Sequence, residues 1–326
     1  MTLDDIWFAA IAVLFTGYFV LEGFDFGVGV LLPYLPREER ERQVMVGTIG
    51  PGRDGGEVWL ITAGGALFAA FPEWCATLFS GLHLPLLLIL PALIVRGVAV
   101  EYRGRRNGGR WRRNWDRCLF WGSLVPAFLW GVVFGSIVRG IALDEKHEFA
   151  GTFWDLLNPF ALLGGLTTLA LFVTHGAIFL ALKTRGRIRR KAKAAAEKSG
   201  VVAAVLAIVF LTWAQAANGS FAGVLLAVVA IGAWGAGMVA NFFGREGRAF
   251  LGSAAAIGAA MISLFAALHP GVLPPDIENA ASTPKTLQIM TWVAVVFLPL
   301  VLLYQSWTYW VFRRRIGVRN IPAGHN

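Results

Sequence analysis

Charge is what this chain has least of: only 15% of its 326 residues are Asp, Glu, Lys or Arg, against roughly 25% in a soluble domain. With 56% hydrophobic residues and a mean hydropathy of +0.62, that deficit excludes an ordinary water-soluble globule. Cysteine is scarce too. Cys75 falls at the outer end of one apolar segment and Cys118 at the inner end of another, levels separated by about 30 Å of hydrocarbon. The pair cannot form a bridge. The 5 histidines and 2 cysteines show no metal-site spacing, and no phosphate-cradling glycine loop is present. The first segment is too long for a signal-peptide core, and Asp4 and Asp5 stand where a basic region belongs, so no cleavable leader is expected.

What is present is a succession of long apolar runs separated by short polar breaks. Hydropathy places them near 6–33, 57–72, 77–100, 118–140, 160–182, 201–216, 221–243, 249–268 and 287–312, which predicts an all-α integral membrane protein of about nine transmembrane helices. The net charge of +9 sits in alternate breaks. Basic residues gather at Arg37–Arg53, Arg103–Arg117, Lys183–Lys198, Arg245–Arg248 and Arg313–Arg319, and the opposite breaks hold little beyond Lys146 and Lys285. Positive residues stay on the cytoplasmic side, so the expected topology is N-terminus out and C-terminus in. The same asymmetry argues against nucleic acid as a partner. The break at 183–200 reads as a solvated, partly helical loop.

Charge inside the bilayer is costly, roughly 2.5–3.5 kcal/mol at mid-helix, and the few such residues are the functional candidates. Glu22 and Asp25, three residues apart, share a face of the first helix, about 24 Å along it. Gly23 and Gly27 allow a second helix to approach closely. Asp54 and Glu57 open the second helix, and Arg96 and Glu101 lie near the inner end of the third. Carboxylates and an arginine at one depth suit either a structural ion-pair lock or a proton relay. His83, His175 and His269 share no depth, which favours hydrogen-bonded packing over haem ligation. Glycines such as Gly131 and Gly135 read as helix contacts. Trp7, Trp59, Trp74, Trp111, Trp115, Trp154, Trp307, Tyr309 and Trp310 cluster at segment ends as an interfacial belt.

The stretches LEGFDFGVGVL at 21–31, TIGP at 48–51, DGGEVWLITAGGALFAAFP at 54–72, ASTPKTLQIMTWV from 281 and YQSWTYWVFRRR ending at 315 resemble subunit II of the cytochrome bd oxidases, actinobacterial members most of all. The resemblance covers essentially the whole chain. It implies two four-helix bundles, at 1–140 and 141–270, then an outer loop, ninth helix and cytoplasmic tail at 271–326. It implies a bacterial plasma-membrane heterodimer with a haem-bearing subunit I, which would carry haems b558, b595 and d and the quinol site. Family members oxidise quinol, reduce oxygen to water and draw protons from the cytoplasm; this subunit is not catalytic alone. A structural quinone in this chain and a small accessory subunit are left open. On the motif P-x-W-D-G-N-x-V-W, Asp54 takes the place of the proton-channel acid, and Asp25, Glu22 and Arg96 match further charged positions. With Glu57 and Glu101 these form the candidate proton pathway, and Arg96 and Arg53 the candidate ion-pairing arginines. Arg53 and Gly56 depart from the motif's Trp and Asn. A secondary transporter, which also uses midplane acids and glycine-interrupted helices, is the alternative from another class.

Overall fold

The computed structural model describes residues 2–49, 53–106, 108–141, 151, 153–269 and 277–311. The side chains at 53, 54, 153, 154, 309 and 310 lie outside that description, as do Lys146 and the arginines from 313 onward. Among the described residues the regular structure is all helical: α1 (Leu3–Leu31), α2 (Glu39–Ile49), α3 (Arg53–Ala70), α4 (Pro72–Tyr102), α5 (Gly109–Arg139), α6 (Phe153–Leu156), α7 (Pro159–Lys183), α8 (Arg187–Asn218), α9 (Phe221–Phe242), α10 (Glu246–Leu268), α11 (Ile277–Ala280) and α12 (Pro284–Val311). Among the described residues, 8 helices are long and apolar enough to cross a membrane, and Gly55–Ala70 in α3 is a shorter apolar helix.

α1 is the hub. It packs on α3, α5, α7 and α10, while α4 lies against α5, and α7, α8, α9 and α10 pack on one another. The central crossing depends on missing side chains. A Cβ on Gly27 of α1 would come within 2.9 Å of the Gly176 Cα of α7, so only glycine permits this approach. Gly135 of α5 stands in the same relation to Ala161 of α7, also at 2.9 Å. In a bilayer, where water does not drive helices together, such contacts supply the dispersion energy of association. Above Gly27, an aromatic cluster of Phe15, Phe19, Trp130, Phe134 and Phe172 fills the space between α1, α5 and α7 with edge-on and tilted contacts.

α12 stands apart from the core, with most of its surface exposed. Two indole N–H groups tether it. Trp7 Nε1 donates to Leu287 O at 3.3 Å and Thr291 Oγ1 at 3.1 Å, and Trp59 Nε1 donates to Gln305 Oε1 at 2.6 Å. α4 bends at Leu82, where Pro85 cannot donate its backbone hydrogen bond to Gly81. Beside the bend a cavity of about 590 Å³ opens between α1, α3, α4 and α5, lined by apolar residues including Phe8, Leu67, Trp74, Leu82 and Phe134.

Three expectations change. The segment at 187–200 is no loop: α8 continues unbroken from Arg187 to Asn218, burying Ile188, Ala192, Ala196 and Gly200 at four-residue spacing, and its alanines favour helix. The first basic break contains α2, an amphipathic helix that buries Glu41, Val44, Met45, Thr48 and Ile49 along one face. Its charged residues mask this pattern from a hydropathy window. Trp7 and Trp74 are not lipid-facing belt residues but are buried in protein, Trp74 stacked on Phe71 with centroids 4.7 Å apart.

Candidate functional site

α1 carries Glu22 and Asp25 on its most buried stretch, just N-terminal to the Gly27 contact, and both are buried. Arg96 reaches them from α4 and is itself 1% exposed. Its Nη2 donates to Glu22 Oε2 and lies 3.8 Å from Glu57 Oε1 of α3. The guanidinium also sits 4.6 Å above the Phe26 ring, whose negative face favours a cation. Two glycines make the room. A side chain on Gly56 would strike the Glu22 carboxylate, and a Cβ on Gly122 of α5 would come 2.9 Å from that of Arg96. Gly56, one of the two departures from the family motif, thus lets α3 close directly over Glu22.

The cluster is graded in exposure. The Glu22 side chain is fully buried, and that of Glu57 is 39% exposed. Arginine stays protonated at any physiological pH, so Arg96 holds the carboxylates in place and compensates their charge; the carboxylates are the groups able to exchange a proton. Tyr18, one turn from Glu22 on the same face, is fully buried and accepts from Trp130 Nε1 at 3.1 Å. The other sequence candidates divide. Asp54 and Arg53 lie in the first turn of α3, but their side chains are outside the described residues. Glu101 is apart from the cluster: its side chain is 61% exposed and pairs with Arg105 at 3.0 Å. Five residues beyond Arg96, it is rotated by about 140° around α4, which is why a shared depth did not bring the two together.

A second polar network went unnoticed in the sequence. Arg103 Nε donates to Asp116 Oδ1 at 2.6 Å and Nη2 to Glu39 Oε1 at 2.9 Å, while Arg42 reaches Asp116 Oδ2 at 3.2 Å. On the other edge of α2, Arg187 donates to Glu41 through both Nε and Nη2, and the Arg37 backbone N–H donates to the same carboxylate at 2.8 Å. The hydrogen bond from Arg187 holds the Glu41 carboxyl below the usual carboxylate range. α2 is thereby tied to the turn after α4, to α5 and to α8 just before the chain enters α3. The one available signal was the periodicity of positions 41, 44, 45, 48 and 49.

His175 is fully buried, its Nδ1 at 2.7 Å from Ser253 Oγ and its Nε2 at 3.3 Å from the Val20 carbonyl. Both ring nitrogens are thus engaged, and the ring stacks on Phe250 with centroids 4.7 Å apart. This arrangement does not fit an axial haem ligand; it fits the packing role. Cys75 and Cys118 are both free thiols.

The family model for cytochrome bd terminal oxidase subunit II matches residues 3–312. The chain belongs to the cytochrome bd terminal oxidase subunit II family. Among its relatives is cytochrome bd ubiquinol oxidase subunit 2 of Bacillus subtilis (strain 168), 39% identical over 330 residues covering 97% of each chain. Cytochrome bd-I ubiquinol oxidase subunit 2 of Escherichia coli (strain K12) is 33% identical over 363 residues, covering 97% of this chain and 96% of that one. In fold, the chain is similar to a chain in the structure of bd oxidase from Geobacillus thermodenitrificans, with a TM-score of 0.80 over 96% of this chain and 99% of that one at 16% identity. Subunit II of a bd oxidase is a multi-pass protein of the bacterial plasma membrane, and membership of this family displaces the transporter alternative.

Proposed function

We propose that this chain is the haem-free subunit of a quinol:oxygen oxidoreductase, and that its buried acids take part in drawing protons from the cytoplasm. It is not catalytic alone. Its partner, subunit I, carries haems b558, b595 and d, which supply the oxygen-reducing chemistry. The chain spans the bilayer nine times, α3 counted, with N-terminus out and C-terminus in. Residues 1–140 and 141–270 form one four-helix bundle each, and 271–326 add the ninth span and a cytoplasmic tail. In this reading protons pass from Asp54 and Glu57 toward Glu22 and Asp25, with Arg96 fixing their geometry. Glu101, on another face of α4, stands outside that line.

The observation that carries this reading is the gradient from the half-open Glu57, past Arg96, to the closed Glu22. Glu57 emerges beside the exposed Val58 and Ile61, a face on which a carboxylate needs a polar neighbour; subunit I supplies it. The apolar cavity beside α4 suits the isoprenoid tail of a structural quinone. A small accessory subunit has room on the same exposed helices.

The test is oxygen consumption by the purified complex bearing Asp54→Asn or Asp25→Asn. Each exchange is expected to slow turnover by at least about tenfold, the scale of a lost proton-transfer group, with haem absorbance unchanged. Parent-like turnover in both would remove these acids from the proton route.

A further inference from the structure

The turn joining α4 to α5 carries more positive charge than the ion pairs around it use. Arg105, Arg106, Arg110, Arg113 and Arg117 are all exposed. Arg105 is committed to Glu101 at 3.0 Å, but among the described residues no carboxylate pairs with Arg106, Arg110, Arg113 or Arg117. Two of the guanidiniums are held over aromatic rings. Arg105 lies 4.7 Å from the centre of Tyr102 and Arg106 4.8 Å from that of Trp111. Trp111 is itself anchored, its Nε1 donating to Tyr102 O at 3.1 Å and its ring set edge-on to Trp115 at 5.5 Å.

The stripe has a direction. Positions 110, 113, 114, 117 and 121 fall on one face of α5, so Arg110, Arg113, Asn114 and Arg117 run in line into Trp121, which is 58% exposed. Over about 16 Å of helix this face changes from cationic to aromatic, the order in which a phospholipid presents its phosphate and then its acyl chain. A free anion would have no use for Trp121.

We infer that the α4–α5 turn and the first turns of α5 form a binding site for the headgroup of an anionic phospholipid, with Arg110, Arg113 and Arg117 facing its phosphate and Trp121 its upper acyl chain. This inference is independent of the proton route, since none of these residues touches the Glu22 cluster.

The test is native mass spectrometry of the whole purified complex, titrated with phosphatidylglycerol or phosphatidylcholine. Exchange of two arginines, Arg110→Gln with Arg117→Gln, is expected to raise the half-saturating phosphatidylglycerol concentration roughly twenty-five-fold, about five-fold for each basic side chain at a membrane surface. Phosphatidylcholine retention should stay at the parent level. Arg110→Lys with Arg117→Lys, which keeps the charge, should remain within a few-fold of the parent and guards against loss of assembly in the glutamine variant. Unchanged phosphatidylglycerol binding in the glutamine variant would overturn the site. So would equal retention of phosphatidylcholine by the parent, or complete displacement of the lipid by millimolar inorganic phosphate.

Discussion

Glu22 and Glu101 each face an arginine, yet the two pairs live in different solvents. The Glu22–Arg96 pair is closed off by Phe26, Gly56 and Gly122, with side chains 0% and 2% exposed. The Glu101–Arg105 pair stands in the open at 61% and 59%. In water the attraction between two such charges is about 1 kcal/mol and is offset by side-chain ordering. Inside the protein neither ion can shed its charge onto solvent, so each becomes a condition for burying the other. The same chemistry is therefore structural in one place and nearly neutral in the other.

Arg96→Met gives the largest expected break in this contrast. It strands the Glu22 carboxylate in an apolar site, at a cost of about 3–5 kcal/mol, read as loss of assembled complex or a lowered unfolding temperature. Next comes Gly27→Val, which forces α1 away from α7; overpacking of this kind costs about 1–3 kcal/mol and should appear in the same thermal assay. Glu41→Gln tests the intermediate environment, in which α2 is pinned to α8. Because Arg187 holds the folded Glu41 carboxyl below its ordinary value, its contribution is complete above the unfolded value of about 4.3. It is lost as pH falls through the lowered folded value. The parent should therefore lose about 1 kcal/mol or less on acidification below about pH 4, a loss that the Gln variant lacks. Glu101→Gln closes the series, expected within about 0.5 kcal/mol of the parent.

The sequence was most legible where a residue's cost is independent of its neighbours. Apolar runs marked the long helices because a bilayer admits little else, and Glu22, Asp25 and Arg96 were conspicuous because charge is rare at that depth. Gly23, Gly27 and Gly131 were readable as contacts for the same reason. What escaped was angular or composite. Depth alone grouped Glu101 with Arg96, although the helix turns one away from the other. α2 and the start of α8 were hidden because their charges lower hydropathy while their buried faces remain regular. The network of Arg103, Asp116 and Glu39 joins residues far apart in the chain, and no local pattern announces it.

In the proposed proton route the buried carboxylate, and not the exposed one, serves the oxidase. The deciding measurement is the oxygen-consumption rate of the purified complex carrying Glu22→Gln, taken beside Glu101→Gln at equal haem absorbance. Glu22→Gln is expected to lower the rate at least about tenfold, and Glu101→Gln to leave it parent-like. Parent-like turnover with Glu22→Gln, or equal losses in both, would contradict it.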